Sequence, residues 1–133
     1  MNEAEWDYAA RAGTTTTYYW GEARNDARAN CDRCGSHWDN QLTAPVGSFL
    51  PNPIGLYDMA GNVLQWVEDC VHPNYDGAPA NEVAWTSGLC AGRVMRGGSW
   101  FNSQYYIRSS QRFLVSPDFR ANNGGFRVAK TLD

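Results

Sequence analysis

The chain has 133 residues and a formal net charge of −3, with 43% apolar and 14% aromatic residues. That length fits one domain able to bury roughly two thirds of its unfolded surface, so a core forms without staples. The slight acidity excludes the basic footprint of a nucleic-acid binder, and no apolar run approaches the 18 residues of a membrane-spanning helix.

In chain order, residues 2–13 read as a helix, with Asn2 as N-cap, acidic residues in the first turn and Gly13 at the end. Ala4, Tyr8 and Ala12, with Ala9 beside them, recur at helical spacing and define its expected apolar face. The first five residues lack the basic-then-apolar pattern of a signal peptide, and the helix starts almost at residue 1. Residues 14–20 are β-branched and aromatic, which suits a strand. Residues 21–40 form a long polar loop carrying Cys31 and Cys34. A short strand is expected over 44–49 and a turn over 51–55. A short helix is expected over 56–59, then a strand over 61–69 ending at Cys70. Residues 72–91 form a second long loop, and strands are expected over 92–100 and 125–131. Thirteen Gly and six Pro between these pieces imply a turn-rich fold with short strands.

The four cysteines allow three pairings. Cys31 and Cys34 are either half of a zinc site, completed by Cys70, Cys90, His37 or His72, or a local thiol or disulfide pair. Arg96, Arg108, Arg112, Arg120 and Arg127 suit either an anionic ligand or internal ion pairs with Asp58, Glu68, Asp69 or Asp118. Trp66, Trp85 and Trp100 are the expected core aromatics, so Trp100→Ala is expected to cost about 3–5 kcal/mol. Glu68 and Asp69 point to opposite faces of a strand and make no catalytic pair. Ser99 sits in a Gly-Gly-Ser turn and not in a nucleophile elbow.

Two anchors stand out: Arg96-Gly-Gly-Ser-Trp100 and Gly125-Phe-Arg-Val128. Between them, residues 101–123 mix aromatics with Ser and Asn and follow no periodicity. Tyr supplies rigid contact area, and Ser or Asn supplies adaptable hydrogen bonding, which suits a binding surface.

Several motifs occur in a fixed order. They are Glu3-Ala-Glu-Trp-Asp-Tyr-Ala-Ala-Arg-Ala-Gly13, Thr43-Ala-Pro-Val46, Gly55-Leu-Tyr-Asp-Met59, Gly61-Asn-Val63 with Trp66, and the two anchors. Together they resemble the formylglycine-generating enzyme (sulfatase-modifying factor) family over residues 3–129. The resemblance implies an α+β, C-type-lectin-like fold with little regular secondary structure, one domain over 1–133. The strands that precede the Glu-Ala-Glu-Trp helix in that family are absent from this sequence. It also implies a copper-dependent oxidase whose two Cys ligands follow the Gly-Gly-Ser anchor. Here the matching stretch, Trp100-Phe-Asn-Ser-Gln-Tyr-Tyr-Ile-Arg108, has no Cys, so that catalysis is not expected.

The chain is most similar to another branch of this fold, the variable proteins of diversity-generating retroelements. Adenine-directed mutation of Asn codons there yields Phe, Ser, Tyr, Leu, Val, Ala or retained Asn. On that resemblance the ligand-binding positions are Phe101, Asn102, Ser103, Tyr105, Tyr106, Ser110, Phe113, Leu114, Val115, Phe119, Ala121, Asn122 and Asn123. Ile107, Arg108, Arg112, Pro117, Asp118 and Arg120 would be the fixed frame between them. The implied partner is a protein or other macromolecule, with no nucleic acid and no membrane insertion. The alternatives are an oxidase of the formylglycine-generating type or an accessory module of a larger enzyme. No cofactor is required. Calcium is the metal the resemblance offers, at Asn30, Asp39 and Asn62, although Leu64-Gln65 replaces the family's Trp-Glu and removes one carboxylate.

Overall fold

A computed structural model describes residues 1–23, 27–81, 83–88 and 90–130. Its elements are a helix α1 (Glu3–Arg11), strands β1 (Leu64–Cys70), β2 (Arg93–Arg96), β3 (Arg112–Val115) and β4 (Gly124–Gly125), and a 3-10 turn over Gln104–Ile107. The strands form one sheet in the order β3-β2-β1-β4. β1 pairs antiparallel with β2 and parallel with β4, and β2 pairs antiparallel with β3. The fold is α+β with low regular secondary structure, as expected.

α1 begins with a capping box. The Asn2 side chain accepts from Glu5 N, and the Glu5 carboxylate accepts from Asn2 N. Ala12 takes the left-handed conformation at the other end, and the Asn52 amide donates to the Ala9 carbonyl. The buried face differs from the expected one. Glu3, Trp6 and Ala10 face the sheet, whereas Ala4 is exposed and Tyr8 is 79% exposed. The reason is that the sheet offers α1 an arginine as well as apolar groups, so a carboxylate is the complementary residue on the inner face. Trp6 packs with Ala10, Met59, Val67 and Val94, and its indole N–H donates to Gln65 Oε1 at 2.9 Å.

The strand expected over 14–20 is only an isolated bridge, Tyr18 to Gly21. Tyr18 and Tyr19 are instead buried loop aromatics packed with Ala29, Cys31, Cys34, Ala60 and Ile107. The stretches 44–49 and 56–59 form neither strand nor helix. Their polar backbone groups are met by side chains, as where Gly47 N donates to Asp58 and Ala44 N to Asn62. The closing strand is two residues long. Phe126 and Val128 beyond it are 77% and 82% exposed, and Thr131, the end of the expected strand, lies outside the described residues.

Two disulfides resolve the cysteine question: Cys31–Cys34 and Cys70–Cys90. No cysteine among the described residues keeps a free thiol, so none is left as a zinc ligand. The chain separations are 20 for Cys70–Cys90 and 3 for Cys31–Cys34. Loop-closure entropy therefore assigns about 3 kcal/mol to the first and about 2 kcal/mol to the second. Denaturant unfolding of the Cys70→Ser/Cys90→Ser chain should show the larger loss; equal losses from both double replacements would contradict this ranking.

Candidate binding site

The segment 101–123, which contains the 3-10 turn and β3, has its two ends tied to one buried hydroxyl. Ser99 is fully buried. Its N–H and Oγ donate to Asn102 Oδ1 at 2.9 and 2.8 Å, and Asn123 Nδ2 donates to Ser99 Oγ at 3.2 Å. The Asn123 carbonyl accepts from Leu64 N at 2.8 Å and so joins the loop end to β1. Gly97 and Gly98 supply the positive φ values, 92° and 69°, that let the chain turn here.

Beneath the loop, Ile107 inserts into the Tyr18–Cys31–Cys34 cluster and is 1% exposed. The disulfide hairpin at 31–34 braces the first part of the loop from the side. Asp32 N donates to the Asn102 carbonyl at 2.8 Å, and Gln104 Nε2 donates to the Arg33 carbonyl at 2.8 Å. Tyr18 Oη donates to the Gln104 carbonyl.

Above this frame lie the exposed aromatics: Phe101, Tyr105 and Tyr106 at 61%, 53% and 44%. Tyr105 and Tyr106 meet edge to face at 5.3 Å, and Tyr106 continues to Phe113 at 6.2 Å. The Arg108 guanidinium stacks on Tyr105, 3.8 Å from its centroid, and its Nε donates to the Tyr105 carbonyl.

The thirteen expected positions are not equivalent. None is buried, whereas Ile107 and Ser109 between them are. Asn102 and Asn123 are nevertheless structural, since their amides close the loop on Ser99. On β3, alternation puts Phe113 and Val115 on the Met95 face and turns Leu114 toward the α1 face. Phe119 leans on Trp66 at 6.3 Å. Ser103, Ser110, Ala121 and Asn122 are exposed. The accessible set thus has three parts: 101–113 on one side, Leu114 on the α1 face, and 119–122 against Trp66.

Two expectations about large residues are corrected. Trp66, Trp85 and Trp100 are half-buried, and the core indole is Trp6, 1% exposed. Trp100 packs edge to face on Phe101 at 5.9 Å and donates only a long 3.4 Å bond to the Asn122 carbonyl. The full core cost therefore moves from Trp100 to Trp6. Internal ion pairing holds for two of the five arginines, and with other partners, whereas Arg108, Arg120 and Arg127 donate to carbonyl or amide oxygens. Arg96 pairs with Glu3 and Asp7, and Arg112 pairs with Glu3. Asp69 instead accepts from Glu3 N and Trp85 N. Burial pushes the Glu3 carboxyl up, but hydrogen bonds and charge from Arg112 and Arg96 outweigh it and hold it below its ordinary value.

Asn30, Asp39 and Asn62 do come together. Asn30 Nδ2 donates to Asn62 Oδ1 at 3.3 Å and to the Leu42 carbonyl at 3.0 Å. Ser36 Oγ bridges Asn30 Oδ1 and Asp39 Oδ1. Asn62 Oδ1 also accepts from Ala44 N, and Asp39 Oδ2 accepts from Gly35 N. A hard cation wants six to eight oxygens. Here the side-chain oxygens already face protein donors and only Asp39 carries charge, so the arrangement fits a hydrogen-bonded brace better than a calcium cage.

Against known proteins, the sulfatase-modifying factor enzyme 1-like domain model matches residues 1–132. The chain belongs to this family. It is 37% identical to a formylglycine-generating enzyme of Streptomyces coelicolor over 98% of this chain and 46% of the relative. It is 36% identical to serine/threonine-protein kinase pkn1 of Chlamydia pneumoniae over 98% of this chain and 20% of that protein. Among solved structures, PvdO from Pseudomonas aeruginosa superposes with a TM-score of 0.83 at 37% identity, covering 95% of this chain and 49% of its own. Treponema denticola variable protein 1 superposes with a TM-score of 0.79 at 31% identity, covering 94% and 44%. The chain therefore spans about half the length, or less, of these relatives. No helix among the described residues is long and apolar enough to cross a membrane.

Proposed function

We propose that this family domain is a non-catalytic binding module that displays residues 101–122 to a protein or other macromolecular ligand, in the manner of a retroelement variable protein. The observation that carries the reading is the division of labour within one loop. None of the positions whose residue set matches adenine-directed diversification is buried, and apart from Asn102 and Asn123, which close the loop on Ser99, the residues that hold the loop lie outside that set. The likeness to Treponema denticola variable protein 1 supports it. No cofactor enters the proposal. The decisive experiment reads the gene. The exposed positions should be codons ending in C, and a near-repeat of the segment with adenines at those places should lie nearby. Absence of both defeats the retroelement reading.

A second prediction concerns stability. Tyr105→Ala and Tyr106→Ala should each shift unfolding by less than about 1 kcal/mol, because exposed side chains away from caps and cores contribute little. For Tyr105 most of that is its contact with Arg108, worth roughly 0.5–1 kcal/mol. Losses as large as that of Trp6→Ala would mean the segment is interior.

The kinship with formylglycine-generating enzymes favours an oxidase as the second reading. Soft thiolates suit Cu(I), yet the stretch after Ser99 has no Cys and the four cysteines elsewhere are paired in disulfides. Stoichiometric Cu(I) binding, or oxidation of a Cys-containing sulfatase peptide, would establish that reading instead.

A further inference from the structure

A groove of about 630 Å³ lies on the sheet side opposite α1, between β1 and the 117–121 turn. Trp66 and Phe119 form its aromatic wall, Phe126 stands exposed beside them, and Arg93, Arg120 and Glu68 supply its charges. The two arginines differ from the ion-paired ones. Arg96, Arg112 and Arg11 all hold carboxylates. Among the described residues, Arg93 and Arg120 have no carboxylate partner. Arg93 donates to the disulfide sulfur of Cys70, a weak acceptor, and Arg120 donates to the Pro117 and Phe119 carbonyls. Two guanidiniums with uncharged partners beside a half-buried aromatic wall leave their charge available, and Glu68 offsets only one of them.

We infer that this groove takes an extended protein segment in which a carboxylate lies next to an apolar side chain. Bidentate bonds from guanidinium to carboxylate fix the acidic residue, and the Trp66–Phe119 wall with Phe126 accepts its apolar neighbour. The inference deepens the display reading. It names the ligand chemistry for the 119–122 half of the surface, and it adds Trp66, Arg93 and Arg120, which lie outside the thirteen diversified positions.

The test uses the whole chain panned against a phage library of random peptides about twelve residues long, followed by titration of the enriched peptides as synthetic molecules. Enriched sequences should pair Asp or Glu with an aromatic or aliphatic neighbour. Arg120→Gln and Arg93→Gln should each weaken them about tenfold, the loss expected for one charge-assisted hydrogen bond. Replacing the peptide's Glu by Gln should do the same, and Val46→Ala, at an exposed position outside both the groove and segment 101–123, should leave binding unchanged. Enrichment of basic or uncharged peptides overturns the inference, as does no enrichment, or binding lost in Phe101→Ala but kept in Arg120→Gln. The last result would spare the display reading while removing this groove from it. Peptide binding as expected, in a gene without the codon pattern, would do the reverse.

Discussion

Arg96→Ala is expected to lose about 3–5 kcal/mol of unfolding free energy, the range for breaking a buried ion pair from one side. Arg96 is fully buried. Its Nη1 donates to Glu3 at 2.6 Å, its Nη2 donates to Asp7 at 2.6 Å and to the Ser109 carbonyl at 2.5 Å, and its guanidinium lies 4.8 Å from the Trp6 ring centroid. One side chain thus joins α1, β2 and the middle of segment 101–123. Truncation strands Glu3, itself 4% exposed, with Arg112 as its one remaining cation. It also removes a donor from a buried carbonyl. The penalty comes from that uncompensated burial more than from the attraction lost. Urea unfolding measures it, and a loss under about 1 kcal/mol would mean that solvent reaches Glu3 in the native state.

The same network fixes the sign of the acid response. The folded Glu3 carboxyl is held below its ordinary value of 4.5. Its contribution to stability is therefore complete above that pH and is lost as the pH falls through the lower folded value. Wild type should weaken progressively on acidification below about pH 4.5. Arg96→Ala should show a shallower acid limb, because Glu3 then keeps only part of its depression. An unchanged limb would assign acid sensitivity to other carboxylates.

These arginine contacts mark where the sequence stops being readable. The Asn2 capping box and Gly13 announce α1 because a cap is a local arrangement. Its inner face is hidden, because Glu3 becomes a core residue only through Arg96 and Arg112, 93 and 109 positions away. Residues 14–20 show strand propensity and become a packed loop, since propensity yields to burial of Tyr18 and Tyr19 beneath Ile107. The anchor 96–100 is legible from its glycines and Trp. The exposed aromatics of the loop are legible from composition. Asn102 and Asn123 are not, because an Asn that closes a loop and an Asn that faces a ligand look alike until Ser99 is placed between them. Trp66 reads as core from its size, and only the groove shows it as a wall.

Gly98→Ala is the second large effect, and it tests whether the frame sets the position of the exposed aromatics. Gly98 has φ +69°, and a Cβ there would stand 2.6 Å from Ile107 Cγ2 and 2.8 Å from the Tyr106 carbonyl oxygen. The left-handed backbone alone costs about 1–2 kcal/mol for an L residue. Forcing a methyl into a packed contact adds about 1–3 kcal/mol. Ile107 has little room to yield, being buried against Tyr18 and the 31–34 disulfide, and the Tyr106 carbonyl is backbone. Relief must come from moving the 3-10 turn, which carries Tyr105 and Tyr106. Gly13→Ala is the control: its φ is +85°, but nothing lies within 4 Å of the added Cβ, so it should show the backbone cost alone. Denaturant unfolding should therefore place Gly98→Ala below Gly13→Ala by the packing difference. Amide shifts in NMR spectra should concentrate at 105–108 in Gly98→Ala and stay near the helix end in Gly13→Ala. Equal losses and no shift in the turn would mean that the loop is held by Ser99 and its asparagines, with the glycine contact contributing nothing to where Tyr105 and Tyr106 stand.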